Sequence, residues 1–318
     1  MTGITTRLIE TPDSELKIVN AARVSFAKES TAVDAADIKL MKYLATHRHW
    51  TPFSHCRETF SFKCVNDSHL TELMRFFLFE LTQEQTASMV FAQRGQKVYV
   101  RTSLFGWTNV LNQYVGSAAY RGFVEQFGNV YAYLDEKYPR ATGFLVDAAV
   151  TTFFDQYGPE AGQSDELLTP HFIDVTMCET VPIFVARQRF KHMIGVTYNE
   201  VSRRYVDDTP EFYYPEEWRS RPEGSVKQGS GGVHPSSNFF KQLYDEDMGS
   251  HKRLYENMIG DGFAPEQVRM TVPQSMLTSY YVTANVAAWN RFIDQRKDSH
   301  AQKEIQDLAI LAQTELNK

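Results

Sequence analysis

The feature that most constrains this chain is an apolar run that leads without a break into a block of cations. Phe172 to Ala186 reads as an extended, apolar segment that ends in Val181-Pro182-Ile183-Phe184-Val185-Ala186. Arg187-Gln188-Arg189-Phe190-Lys191-His192-Met193 follows, and then Asn199-Glu200-Val201-Ser202-Arg203-Arg204-Tyr205. Five Lys and Arg side chains and one Glu fall in this short stretch. Cations rooted in a core element must reach either water or anions, because a buried unpaired charge is costly. A solvated basic face is one answer. A phosphate-bearing ligand is the other, since the planar guanidinium fork matches phosphate oxygens. The chain as a whole is acidic: 318 residues carry 33 Lys+Arg against 39 Asp+Glu, a net charge of -6. That balance argues against a broad nucleic-acid or membrane surface.

A second signal lies further on. Thr283 to Arg296 has a helical period that places Asn285, Trp289, Phe292 and Arg296 on one face. The aromatics turn that face inward and leave Asn285 and Arg296 at its two ends. A buried guanidinium needs a partner, either a carboxylate of the protein or a ligand. A third signal is His47-Arg48-His49 with His55 close by. No metal-ligand partner follows at recognisable spacing, so no metal site is expected. There is no GxGxxG between a strand and a helix, no P-loop and no GxSxG elbow. Cys56, Cys64 and Cys178 are odd in number and form no CxxC, which fits a reducing cytoplasm better than a disulfide framework or a zinc site. No signal-peptide-like segment and no membrane-length apolar run is visible.

Residues 36–47 read as an amphipathic helix that His49-Trp50-Thr51-Pro52-Phe53 breaks. Thr59 to Val65 reads as a strand with Phe60 and Phe62 alternating. Residues 66–170 are rich in aromatics and helix formers, and end in the linker-like Gly158-Pro159-Glu160-Ala161-Gly162-Gln163-Ser164-Asp165. Ser220 to Asn238 reads as a mobile surface loop. Phe239, Phe240, Leu243, Leu254, Tyr255 and Met258 predict a long helix or helix pair, and Pro265-Glu266 starts another. Ser299 with Gln302 suggests a capping box before a last helix striped by Ile305, Leu308, Ala309 and Ala312.

Three separated blocks resemble the flavin-dependent thymidylate synthases. The first is His49-Trp50-Thr51-Pro52-Phe53-Ser54-His55, with Ala22-Arg23-Val24-Ser25-Phe26 upstream. The second runs from Phe184 to Tyr205 and is similar to the family's Arg-His-Arg followed by Asn-Glu-x-Ser-x-Arg-Tyr. The third holds Arg269, Pro273, Thr278, Asn285 and Arg296 through Ile305. The resemblance implies an α+β fold, with a curved mixed sheet, long helices and a flavin site that is not of Rossmann type. It implies a cytoplasmic homotetramer (in the host cytoplasm if the chain is phage-encoded) whose sites are assembled from several subunits. It also implies FAD, NADPH and 5,10-methylenetetrahydrofolate as cofactors and dUMP as substrate, with no cysteine nucleophile. By the same resemblance Gln188, Lys191, Glu200, Ser202, Arg203, Arg204, Arg269 and Arg296 hold dUMP. His49, Thr51, Lys191, His192, Met193, Asn199, Glu200, Asn285 and Arg291 contact FAD. Arg296 is the catalytic residue: beside the uracil ring it favours ionisation at N3, because a fixed cation lowers the pKa of a nearby acid.

The chain also departs from the family pattern. Lys191-His192-Met193 stands where the family has Arg-His-Arg, and one more residue separates His192 from Asn199, which resembles a phage-type subgroup. Arg189 and Arg203 are extra cations that would compensate for Met193. Residues 66–170 are expected as a mainly helical insertion into a catalytic core of 1–65 and 171–318. Two alternatives stay open: a dUMP 5-hydroxymethylase on the same scaffold, and a nucleotide-binding homologue that has lost catalysis.

Overall fold

The computed structural model describes residues 3–11, 14–81, 89–115, 122–157, 167, 169–222 and 229–318. Their elements are β1 (Thr5–Leu8), α1 (Ser14–Arg23), α2 (Ala35–Thr46), β2 (Arg57–Lys63), α3 (Asp67–Arg75), β3 (Val90–Arg94) and β4 (Lys97–Ser103). Next come α4 (Leu104–Val115), α5 (Val124–Lys137), α6 (Pro139–Leu145), α7 (Ala148–Tyr157), β5 (Asp174–Pro182), α8 (Ile183–Arg189) and β6 (Val196–Glu200). The chain continues with α9 (Ser237–Gly260), α10 (Pro265–Val268), β7 (Leu277–Asn285), α11 (Val286–Arg296) and α12 (Lys303–Leu316). Two units emerge. The first holds Met1–Glu10, Ala22–Glu29 and Val175–Lys318, and the second Thr11–Ala21 and Ser30–Asp174. Residues 30–65, expected to belong with 171–318, instead fold with the segment after them, because β2 pairs along its length with β4.

In the first unit four strands lie in the order β1-β5-β7-β6. The register pairs Thr5 with Thr180 and Val196 with Ala284, both antiparallel. Hydroxyl bridges of 2.7 Å join Thr176 to Thr283 and Thr180 to Ser279, numbers that run in opposite senses along β5 and β7. The sheet expected to be mixed is thus antiparallel in these pairings. β7 is buried almost end to end, as a strand covered on both faces should be. Trp289, Phe292, Ile305, Leu308 and Ala312 of α11 and α12 close the core over Met177, Val181 and Val282.

Several boundaries differ from expectation for identifiable reasons. Ile183–Ala186, read as extended, open α8, because Pro182 at φ -66° and ψ 150° ends the strand and serves as N-cap. Thr283–Asn285, read as helical, end β7. Asn285 is the N-cap of α11, its Oδ1 accepting from the Ala288 N–H at 2.8 Å. The last helix is capped at Gln302, with no capping box from Ser299. Phe239, Phe240, Leu243 and Leu254 of α9 lie in the exposed class, and the helix buries Met248 and Tyr255 instead. In the loop read as mobile, residues 223–228 lie outside the described part. Its flanks are tied by the Ser220 N–H to Gly232 carbonyl bond at 2.8 Å and by Arg219 Nε to Ser230 Oγ at 2.6 Å. Gly158–Asp165 also lies outside the described residues.

The second unit pairs β2-β4-β3 in an antiparallel sheet under helices α3 to α7. The segment expected to be mainly helical therefore contains a hairpin, whose turn uses Gly95 at φ 59°. Phe60, Phe62, Phe76, Phe77, Trp107 and Phe127 form its aromatic core, with Phe62 4.8 Å from Phe127 and edge-on to Phe77. Buried Glu58 accepts from Tyr138 Oη at 2.5 Å and pairs with Lys137 at 2.8 Å. No helix among the described residues is long and apolar enough to cross a membrane.

Helix α2 starts on a capping box between Asp34 and Asp37 and ends in a Schellman turn. The His49 N–H bonds the Leu44 carbonyl and the Arg48 N–H the Ala45 carbonyl, with Arg48 at φ 58°. That left-handed position suits glycine, and a Cβ there is unfavourable. Arg48→Gly is expected to raise stability by roughly 1 kcal/mol. Urea unfolding checks this, and a lower midpoint would contradict it.

Candidate active site

The cation block begins on α8, whose seven residues give successive side chains opposite environments. Arg187 is exposed, whereas Arg189 is 1% exposed. Arg189 Nε bonds Glu179 Oε2 at 3.0 Å, and Nη1 bonds Tyr198 Oη at 2.7 Å. Its guanidinium lies 4.0 Å from the Phe292 ring centroid and 4.8 Å from that of Trp289. Burial is the largest single influence and lowers its pKa, but the fully buried Glu179 carboxylate together with Tyr198 and Tyr280 outweighs it, and the net shift is upward. Arg189 is therefore a core cation with its own carboxylate. It does not compensate for Met193, which corrects the expectation above. Arg296, for which a protein carboxylate or a ligand was expected, has no carboxylate partner among the described residues.

Beyond α8 the chain turns through residues 190–195. Lys191 is exposed and makes no ion pair among the described residues, and Met193 is also exposed. His192 is buried beneath them and stands edge-on to Phe292 at 5.1 Å. Arg296 Nε lies 3.0 Å from His192 Nε2. Arg291 Nη2 donates to the Ile194 carbonyl at 2.6 Å. Gly195, at φ 76°, lies against Asn285, and a Cβ on it would sit 3.3 Å from Asn285 Nδ2. The turn is thus clamped along α11 from its N-cap to its last residue. Tyr198, opposite, donates to the carbonyl of Arg189 or of His192, at 3.1 and 2.9 Å. Burial first, then Arg189, Arg296 and Arg291, lower the His192 pKa to about 4.

β6 carries Asn199 and Glu200 to a second cluster. Ser25 Oγ donates to the Glu200 carbonyl at 2.9 Å, and the Ser202 N–H bonds the Ser25 carbonyl at 3.0 Å. The segment around Ser25, grouped by sequence with the first block, is thus bonded to the second. Thr278 Oγ1 donates to Glu200 Oε1 at 2.7 Å. Desolvation raises the Glu200 pKa and the Thr278 bond opposes it. The side chain still has an exposed face, so this is a carboxylate hemmed on one side. Ser202 heads a turn that accepts from the Tyr205 and Val206 N–H groups. Arg204 Nε lies 3.9 Å from Glu266 Oε2, and Arg269 Nε donates to the Glu266 carbonyl at 3.1 Å. Glu266 thus brings together two arginines that are sixty-five positions apart in sequence. Arg203 turns to the Asp208 carbonyl and the Tyr255 ring. Gln188 donates to Gln302 at 2.7 Å, and Gln302 lines a cavity of about 360 Å³.

His49 and Thr51 belong to the second unit, where both are exposed. Glu179, Tyr198 and Glu266 organise the cations, yet none of them stood out in the sequence. Glu179 pairs across ten residues and a strand-to-helix turn, which no local pattern announces. Among the described residues no group of three or more His, Cys, Asp or Glu is arranged to hold a metal ion.

The sequence belongs to a known family. The profile of the thymidylate synthase complementing protein family matches residues 7–149 and 171–318, and the chain belongs to that family. Its curated relatives are enzymes named flavin-dependent thymidylate synthase. The one from Aquifex aeolicus (strain VF5) is 28% identical over 93% of this chain and 92% of its own length. The one from Thermosipho africanus (strain TCF52B) is 35% identical over 41% of this chain and 57% of its own. Residues 66–149, most of the segment expected as an insertion, fall within the matched profile. A crystal structure of the UMP/dUMP methylase PolB from Streptomyces cacaoi, bound with 5-Br UMP, aligns over 99% of this chain and 88% of that one. Its identity is 17% and its TM-score 0.43.

Proposed function

We propose that the chain is an FAD-dependent thymidylate synthase that converts dUMP to dTMP. The methylene comes from 5,10-methylenetetrahydrofolate and the electrons from NADPH, and the enzyme works as a cytoplasmic homotetramer. The observation that carries this reading is the family profile spanning nearly the whole chain. The site geometry supports it. Arg204 and Arg269, gathered at Glu266 beside the Ser202 turn, suit a nucleotide phosphate. Gln188 and Glu200 complete the nucleotide contacts, with Lys191 at their edge. Arg203 is directed to Asp208 and contributes less than expected.

Arg296 faces the pyrimidine in this reading. A fixed cation there favours loss of the N3 proton and raises electron density at C5, the atom that attacks the methylene carbon. No thiolate is needed. Burial pushes the Cys56 thiol up to about 12 and the Cys178 thiol up to about 11, so neither supplies a nucleophile at neutral pH.

The donors of the 191–199 segment fit a flavin dinucleotide. Lys191 offers an exposed ammonium, Asn199 an amide, and Gly195 a close backbone approach. Asn285 and Arg291 hold this segment, and His49 and Thr51 are further flavin contacts in this reading. Met193 can add apolar contact but no charge. When bound, the flavin supplies the hydride. The test is anaerobic turnover of dUMP by purified, FAD-loaded protein with methylenetetrahydrofolate and NADPH, read by mass spectrometry. dTMP is the expected product. No product, or 5-hydroxymethyl-dUMP in its place, overturns the reading.

A further inference from the structure

We propose that His192 is a positioning residue for Arg296. Its neutral ring accepts the Arg296 Nε–H, and both terminal guanidinium nitrogens, which bond none of the described residues, are left for the substrate. This rests on the reading of Arg296 as the cation that faces the pyrimidine.

The contact fixes the chemistry of both partners. Arginine Nε is a donor only, so a 3.0 Å bond to His192 Nε2 requires a lone pair there. The imidazole is then neutral, with its proton on Nδ1. The surroundings enforce that state: the ring is buried and faces the cations Arg189 of α8 and Arg291 and Arg296 of α11.

The choice of a neutral partner matters. A carboxylate would hold Arg296 equally well but would cancel most of its field at the substrate. A neutral imidazole fixes the side chain and leaves the positive charge whole. Arg189, the structural arginine nearby, has the opposite arrangement, with Glu179 at 3.0 Å. Two arginines close in space thus have partners that match two roles.

Arg296 also needs holding. It is the last residue of α11, only half-buried, and an unrestrained arginine has many rotamers. The His192 end is itself rigid. Phe292 packs against the ring, Tyr198 is within 2.9 Å of its carbonyl, and Arg291 ties the adjacent Ile194 carbonyl to the helix that bears Arg296. The preorganisation therefore passes from the core through His192 to the guanidinium.

The test reads the ionisation of a bound pyrimidine, which a merely structural role would not change selectively. FAD-loaded protein is saturated with 5-fluoro-dUMP, and the N3 pKa of the bound ring is followed by fluorine NMR against pH. In the parent protein the bound pKa should lie below that of the free nucleotide. His192→Leu should raise it by about one unit, a tenfold loss of the ionised form at a given pH. His192→Gln, whose amide oxygen can accept the same N–H, should restore it. His192→Glu should hold the arginine yet leave the pKa as high as in the Leu variant.

If the parent protein does not lower the bound pKa, the reading of Arg296 fails. If it does and His192→Leu lowers it equally, the positioning role is overturned while that reading stands. Should the Leu variant not fold, the Gln and Glu variants decide, and equal bound pKa values for the two overturn the proposal.

Discussion

Arg296→Ala is expected to lower kcat/KM for dUMP by about 10²–10³-fold while leaving the fold and FAD binding intact. The guanidinium is half-buried at the end of α11, and its only side-chain hydrogen bond among the described residues is to His192. Its removal leaves a neutral imidazole nitrogen unpaired, a loss of about 1 kcal/mol that a protein of this size tolerates. The effect on chemistry is larger because the cation acts where negative charge develops on the pyrimidine. Arg296→Lys keeps the charge but not the Nε–H or the planar fork, so it should recover only part of the loss. Steady-state kinetics beside thermal unfolding separates the two effects. Retained turnover in a folded Ala variant would refute the role given to this residue.

The sequence pointed to this arginine for a reason that was partly mistaken. The spacing of Asn285, Trp289, Phe292 and Arg296 suggested one helical face. Asn285 is not helical: it ends β7 and caps α11. The inference survives because an N-cap and the last residue of the same helix are as fixed to one another as two residues on one face. Threonine and valine around 283–286 favour a strand as readily as a helix, so periodicity alone could not place that boundary. The helix at 36–47 was legible almost to the residue from its apolar spacing alone, and the structure adds Asp34 as its cap.

Partnerships over distance were not legible. Arg189 and Arg187 look alike in sequence, two positions apart on a short helix. One is exposed, and the other is buried against a carboxylate that lies on the preceding strand. Deciding between them required knowing that Pro182 turns the chain and that Trp289 and Phe292 close over α8. Likewise Arg204 and Arg269 meet at Glu266, a residue whose only sequence signal was its place after a proline. Phe239, Phe240 and Leu243 show the converse: their spacing marked the long helix, but the first unit leaves them exposed. Hydrophobicity says which side chains need cover, and only topology says which receive it.

The largest stability change should come from Glu179→Gln. Glu179 and Arg189 are 0% and 1% exposed, and the guanidinium lies among Tyr198, Trp289 and Phe292. Removing the negative charge leaves a cation in a dry aromatic site, because burial works against the charged form and Glu179 is the main group that offsets it. A loss of about 3 kcal/mol or more is expected, with a fall in Tm on the order of 10 °C. Replacing both partners, Glu179→Leu with Arg189→Met, should lose less than the single change, since no unpaired charge remains. Activity should decline with the single variant for a connected reason. Tyr198 bonds Arg189 Nη1 and reaches the His192 carbonyl, so a displaced Arg189 also loosens the turn that holds Arg296. Urea unfolding of the two variants beside the parent is decisive. A single variant as stable as the parent would mean that Tyr198 and the aromatic rings suffice for the buried guanidinium, and that the carboxylate is dispensable.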